Sequence, residues 1–169
     1  MRAPSTAAGS VNIEWRHTRV LEELTSRLSD EGVTWALTGS LAHRIQGVPV
    51  EVHDVDVQTD ERGAYRIADV FRNEVVRKVR LRRSANVESH FGELVVHGIS
   101  VEVMGALRKR LRDGSWEPPV DVAAHRVLVP CGSLEVPALS LRYEARAYEA
   151  LGRAERAALL RRYCGDGQR

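Results

Sequence analysis

The chain has 169 residues, 43% of them hydrophobic and 28% charged, with a net charge of +2. That length suits one ordinary domain, no apolar run reaches the roughly 20 residues that span a bilayer, and a charge balance this small gives no basis for a nucleic-acid partner. Met1 to Ser10 lacks the apolar segment of a secretory signal, and Cys131 and Cys164 lack metal-ligand spacing, so a cytoplasmic protein with reduced thiols is expected.

In chain order, Leu21, Leu24 and Leu28 recur at helical spacing and Gly32 is a natural stop, which predicts an amphipathic helix from about Val11 to Glu31. "VTWALTG" (Val33 to Gly39) predicts a short strand. Ser40 is a candidate N-cap for a brief helix, Leu41 to Gln46, that Gly47 would end. "VHDVDVQT" alternates and predicts a strand. Asp60 would cap the next helix, whose apolar stripe is Ala64, Ile67, Ala68 and Phe71. "VVRKVRLRR" (Val75 to Arg83) predicts a strand with a basic face. "FGELVVHGISVEVMG" predicts two strands joined by a tight turn at His97-Gly98. Asp113-Gly114 and Pro118-Pro119 punctuate a loop, and "RVLVPCGSLEVP" is a second hairpin around Cys131-Gly132-Ser133. Leu141 to Tyr163 is helical, with a break at Gly152. This order defines an α+β protein, a small mixed sheet flanked by helices. No linker divides it, so residues 1–169 are expected to form a single domain, with a core over about 11–137 and a C-terminal helical segment over about 138–165.

The chemistry is concentrated in "ALTGSLAHRIQGVPVEVHDVDVQTD". In a strand, residues i and i+2 share a face about 6.5–7 Å apart. Asp54 and Asp56 would then look out together while Val55 and Val57 face the core. Two like charges side by side are costly unless a cation lies between them, and hard carboxylate oxygens suit Mg²⁺ or Mn²⁺. In "ISVEVMG", Glu102 repeats the pattern between two valines. Placed on a neighbouring strand, it becomes a third carboxylate on that surface, and three such groups can hold two cations about 3.5–4 Å apart for in-line phosphoryl displacement. Gly39 would let the backbone approach a phosphate without a Cβ in the way. Ser40 offers a hydroxyl at a helix start, and Arg44, one turn on, could reach the same anion. Each motif alone is ordinary on a solvated surface; their ordered combination points to function.

With these residues in hand, the stretch resembles the nucleotidyltransferase superfamily typified by DNA polymerase β, in which a Gly-Ser turn precedes an Asp-x-Asp strand and a third acid follows. The likeness is to small stand-alone members, the minimal and antibiotic-adenylyltransferase-like nucleotidyltransferases. It covers Val33 to Gly105, with an echo of their C-terminal helices in "VPALSLRYEARAYEALGRAERAALL". The resemblance implies a nucleotidyltransferase-like fold with C-terminal helices. It implies that Asp54, Asp56 and Glu102 are catalytic and bind Mg²⁺ or Mn²⁺, with Glu102 as third ligand or base, and that Gly39 and Ser40 bind the triphosphate. A nucleoside monophosphate, AMP from ATP in the first instance, would pass to a hydroxyl of a small-molecule or protein acceptor with release of pyrophosphate. A homodimer is compatible with it.

Three departures stand out. His53 precedes the first aspartate where relatives carry serine or arginine, the third acid is a glutamate, and the C-terminal helix offers Arg146 and Arg153 where several relatives have a lysine. Arg77, Arg80, Arg82 and Arg83 are expected to form a solvated basic edge, with contact to the acceptor or triphosphate as the alternative. A different class of function is also open: a non-catalytic binding module of the same fold, such as an antitoxin-like partner protein.

Overall fold

The structure, a computed structural model, describes residues 12–165. Helix α1 (Trp15–Leu28) is shorter than expected at both ends, because Glu14 is extended and the chain turns away after Ser29 through Gly32 at φ 64°. Val11 lies outside the described residues. The chain continues through β1 (Trp35–Thr38), α2 (Gly39–Ile45), β2 (Val55–Thr59) and α3 (Glu61–Val70). Three antiparallel strands follow: β3 (Val75–Arg83), β4 (Val87–Val96) and β5 (Ile99–Lys109). A four-residue helix, α4 (Val122–His125), leads to the hairpin β6 (Arg126–Cys131) and β7 (Leu134–Leu139). Helices α5 (Leu141–Ala150) and α6 (Ala154–Arg162) end the described chain.

The strands form one seven-stranded sheet in the order β3-β4-β5-β2-β1-β7-β6. It is mixed, as expected: β2/β5 and β1/β7 are parallel and the other neighbours antiparallel. The hairpin at His97-Gly98 forms because both residues adopt positive φ, 49° and 77°, which a two-residue turn between twisted strands requires. Asp60 caps α3 as expected, accepting from the Gly63 N–H at 2.6 Å. Gly152 at φ 76° separates α5 from α6. The strands β4 and β5 run further than the motif suggested, and α4 has no sequence signal longer than its Asp121 cap.

One face of the sheet carries the main core. Leu37, Val55, Val57, Val101 and Val103 pack in one cluster with Val20, Leu21 and Leu24 of α1 and Ala64, Ile67 and Phe71 of α3. Each such buried valine, leucine, isoleucine or phenylalanine side chain contributes about 2 kcal/mol. The other face is only partly covered. Ala36 packs there with Val122, Leu139 and Tyr143, while α5 and α6 close on Val48 through Leu141, Ala145 and Leu160. The open part of this second face is where the expected acids lie.

Candidate active site

Strand register brings the acids together. Asp56 pairs with Glu102 on β5 and, on its other side, with Thr38 on β1. Glu102 pairs in turn with Glu93, and Glu93 with Arg77 at the sheet edge. Residues paired across neighbouring strands stand on the same face. Thr38, Asp56, Glu102, Glu93 and Arg77 therefore form one lateral row from the sheet's middle to its margin. The flanking valines point into the core, as the alternation predicts.

Asp54 differs from expectation in its setting. Strand β2 begins only at Val55, and Asp54 occupies an exposed bend ahead of it. The reason lies in the neighbours: β1 ends at Thr38, opposite Asp56, where the chain turns into α2, and the β5 ladder starts at Val55↔Val101. Its charge nevertheless acts on both other acids. His53 is beside it with an exposed side chain, and its carbonyl accepts from His17 Nε2 at 2.9 Å.

Crowding of carboxyls sets the electrostatics. Burial first, then the charges of Glu102 and Asp54, push Asp56 up to about 7. Glu102 is also raised, by burial and by the charges of Asp54 and Glu93, but its hydrogen bond with Asp56 and the charge of Arg77 pull it back. Both carboxyls are therefore raised, Asp56 to about 7. Such a pair of hard oxygen donors, short of positive charge, fits a divalent cation. Two of the three expected ligands, Asp56 and Glu102, stand in register on neighbouring strands. Among the described residues no three His, Cys, Asp or Glu side chains already stand as a metal-holding group.

The Gly-Ser turn sits directly beside this pair. Gly39 adopts φ 70°, and a Cβ built there would meet Asp56 Oδ2 at 2.2 Å. Ser40 is not the N-cap: α2 starts at Gly39 and Thr38 holds the cap position, extended, with no capping bond from its side chain. The Thr38 hydroxyl donates instead to Glu144 of α5. Glu144 is buried, and its second oxygen lies 3.3 Å from Nε2 of the fully buried His43. Arg44 is placed elsewhere. Its guanidinium donates to the Asn12 carbonyl at 3.4 Å, in a cleft shared with His17 and Glu51 and apart from Asp56.

A cavity of about 170 Å³ opens next to Asp56, lined also by Gly39, Gln58, Lys109, Glu144 and Tyr148. Arg153 lines it too, while Arg146 lines a neighbouring hollow with Lys109 and Tyr143. Helices α5 and α6 carry no lysine; Lys109 of β5 lines the same cavity, where its Nζ donates to Tyr143 Oη at 3.2 Å and pairs with Glu117 at 3.1 Å. Gln58, Lys109 and Glu144 were missed in the sequence. Period-two spacing from Asp56 could have flagged Gln58, whereas Glu144 carries no local signal. The arginines of β3 form the expected exposed edge, where Arg77 faces Glu93 and Arg83 pairs with Glu88.

A mixed sheet with a Gly-Ser turn pressed against an Asp-x-Asp strand, and an acid in register on the parallel neighbour, defines a nucleotidyltransferase. The chain belongs to the aminoglycoside-2''-adenylyltransferase family, whose model matches residues 20–161. TM1012 of Thermotoga maritima, assigned as a nucleotidyltransferase, is 49% identical, with a TM-score of 0.80 over 90% of this chain and 94% of its own. The lincosamide antibiotic adenylyltransferase LnuA, solved with lincomycin bound, shares the fold at TM-score 0.54 and 11% identity, covering 88% of this chain and 96% of that one. The antibiotic-resistance factor ANT(2'')-Ia does so at TM-score 0.60 and 9% identity, covering 92% and 88%. No curated protein matches the sequence. Family membership favours an enzyme over a non-catalytic binding module. Among the described residues no helix is long and apolar enough to cross a membrane.

Proposed function

We propose that the protein is a Mg²⁺- or Mn²⁺-dependent cytoplasmic adenylyltransferase that moves AMP from ATP to a hydroxyl of a small-molecule or protein acceptor. The observation that carries this reading is Asp56, in register with Glu102 on the parallel neighbour and seated against the positive-φ Gly39. Asp56 and Glu102 would hold the cation, with Asp54 swinging in from its bend as the further donor. When bound, that cation neutralises the triphosphate and its leaving group. Gly39 and Ser40 border the triphosphate, and Arg153 and Lys109 supply positive charge across the cavity. The acceptor oxygen forms a bond to the α-phosphorus as the bond to the β-phosphate oxygen breaks. Its proton passes to a Glu102 carboxylate oxygen, and pyrophosphate leaves. Aminoglycosides and lincosamides, which give the family and one structural neighbour their names, are the acceptors to try first.

Calorimetry with ATP in the presence and absence of Mg²⁺ tests the reading. The wild type is expected to bind ATP only with the metal, and Asp56→Asn to abolish that dependence. Metal-independent binding, or none, refutes it.

A further inference from the structure

The buried stripe of α1 runs His17, Val20, Leu21, Leu24 and Leu28, and its first member is not apolar. His17 is 2% exposed, at a position where helical spacing calls for another aliphatic side chain. Its Nδ1 is buried without a hydrogen-bond partner, the Glu14 carboxylate standing off at 3.7 Å. Burying such a nitrogen is costly, and a leucine would avoid the cost. The other ring nitrogen supplies the compensation. Nε2 lies 2.9 Å from the His53 carbonyl oxygen, which can only accept, so Nε2 carries the proton and donates it.

That carbonyl belongs to the residue before Asp54, the acid on the exposed bend. Residues 51–54 have no strand partner, because the β1 ladder reaches only to Asp56 and the β5 ladder only to Val55. Val52 packs against the core, and the His17 bond then fixes the next residue by its backbone. The chain is thus held on both sides of the bend, by α1 before it and by the sheet after it. What Asp54 keeps free is its side chain.

We propose that His17 is a positioning residue for the cation: by anchoring the His53 carbonyl it fixes the backbone of Asp54, so that metal binding has to order one side chain and no loop. This rests on the nucleotidyl-transfer reading of the site, in which Asp54 is the further donor. His17 is bonded to none of the three acids and acts through the chain that carries one of them.

The test is a double-mutant cycle on the full chain, read by the binding of Mn²⁺ alone. His17→Leu is expected to weaken Mn²⁺ about tenfold, the cost of ordering about one further backbone residue on binding. Asp54→Asn is expected to weaken it as well, and in that background His17→Leu should add nothing, because the two residues act through one contact. His17→Gln, whose amide nitrogen reaches about as far as Nε2, is expected to restore wild-type binding. A merely structural histidine would lower the thermal midpoint and leave Mn²⁺ affinity alone. Additive losses in the cycle, unchanged affinity in His17→Leu, or a glutamine that does no better than the leucine overturns the proposal. If the leucine variant does not fold, the wild type decides: the hydrogen-bonded His17 Nε2 proton is expected to persist in heteronuclear NMR spectra when Mg²⁺ is added, and its disappearance overturns the proposal. If the wild type binds no Mn²⁺, the nucleotidyl-transfer reading fails and takes this inference with it. If Mn²⁺ binds and Asp56→Asn abolishes it, but the cycle shows no coupling, only the role of His17 fails.

Discussion

The carboxyl of Asp56 occupies the space that a side chain on Gly39 would need. A Cβ there would approach Oδ2 to 2.2 Å, and the backbone at that position holds φ 70°. The glycine is thus fixed twice, by the left-handed conformation and by the acid it touches. Alanine in that conformation costs about 1–2 kcal/mol before any clash. Gly39→Ala is expected to lower the thermal midpoint by about 4 °C or more and to weaken Mg²⁺-dependent ATP binding about tenfold through displacement of Asp56. Melting curves and calorimetry on the same preparation check both. Unchanged binding would show that the turn does not position the acid.

Titration of Asp56 links metal, pH and stability. Its folded-state value of about 7 lies above its ordinary 3.8, so the native state holds a proton that the unfolded chain has released. That contribution to stability is complete below the ordinary value and disappears as pH rises through about 7. Metal-free protein is therefore expected to lose stability between about pH 4 and about pH 7 from this group. Mg²⁺, which competes with the proton, is expected to bind about tenfold less tightly for each pH unit below about 7. Asp56→Asn should flatten the profile, stabilise the metal-free protein at about pH 8 and remove the effect of Mg²⁺. Thermal denaturation of both proteins across that range, with and without the metal, decides it.

Glu144 ties α5 to the end of β1 and to α2. Replacing it with alanine strands the Thr38 hydroxyl and His43 Nε2 in the interior, a loss of about 1–3 kcal/mol. Glu149, one turn along the same helix, pairs with Arg161 on an exposed surface, and its alanine variant is expected to stay within about 0.5 kcal/mol of wild type. Urea denaturation of the two variants side by side measures the contrast. Equal effects would mean that the buried network contributes nothing particular.

Close approach also governs Gly105, where β5 passes under α3. A Cβ there would lie 2.6 Å from the Ala64 Cβ and 2.7 Å from the Asp60 carbonyl oxygen. Neither neighbour is a flexible side-chain end, so Gly105→Ala is expected to destabilise the fold by about 1–3 kcal/mol. Denaturant midpoints report it.

What could be seen in the sequence was whatever short-range physics determines. The His97-Gly98 turn, the Asp60 cap and the valines flanking Asp56 and Glu102 each obey a rule that spans a few residues, and each stands where it was expected. Ser40 failed as a cap because α2 opens two residues earlier than expected, and the Thr38 hydroxyl at the cap position is taken by a carboxylate 106 residues away. Arg44 was one helical turn from Ser40, but the turn directs it to Asn12. Asp54 fell outside the strand because β2 loses its β1 neighbour at Asp56. Lys109 was hidden beyond Ala106, whose φ of 50° interrupts the strand period that would have assigned it a face. A glutamate on an amphipathic helix reads as solvated, and only tertiary contact shows Glu144 to be buried.

The central position of β1 carries one more implication. Its parallel neighbour is β7, built from Leu134–Leu139, and Thr38 next to the reactive aspartate is held by a residue of α5. During synthesis the ribosome delivers the Gly-Ser turn, both aspartates and the glutamate long before it delivers those two elements. A nascent chain therefore carries Asp54, Asp56 and Glu102 while the middle of its sheet still has an open flank, and the arrangement around Asp56 is complete only once β7 and α5 have emerged.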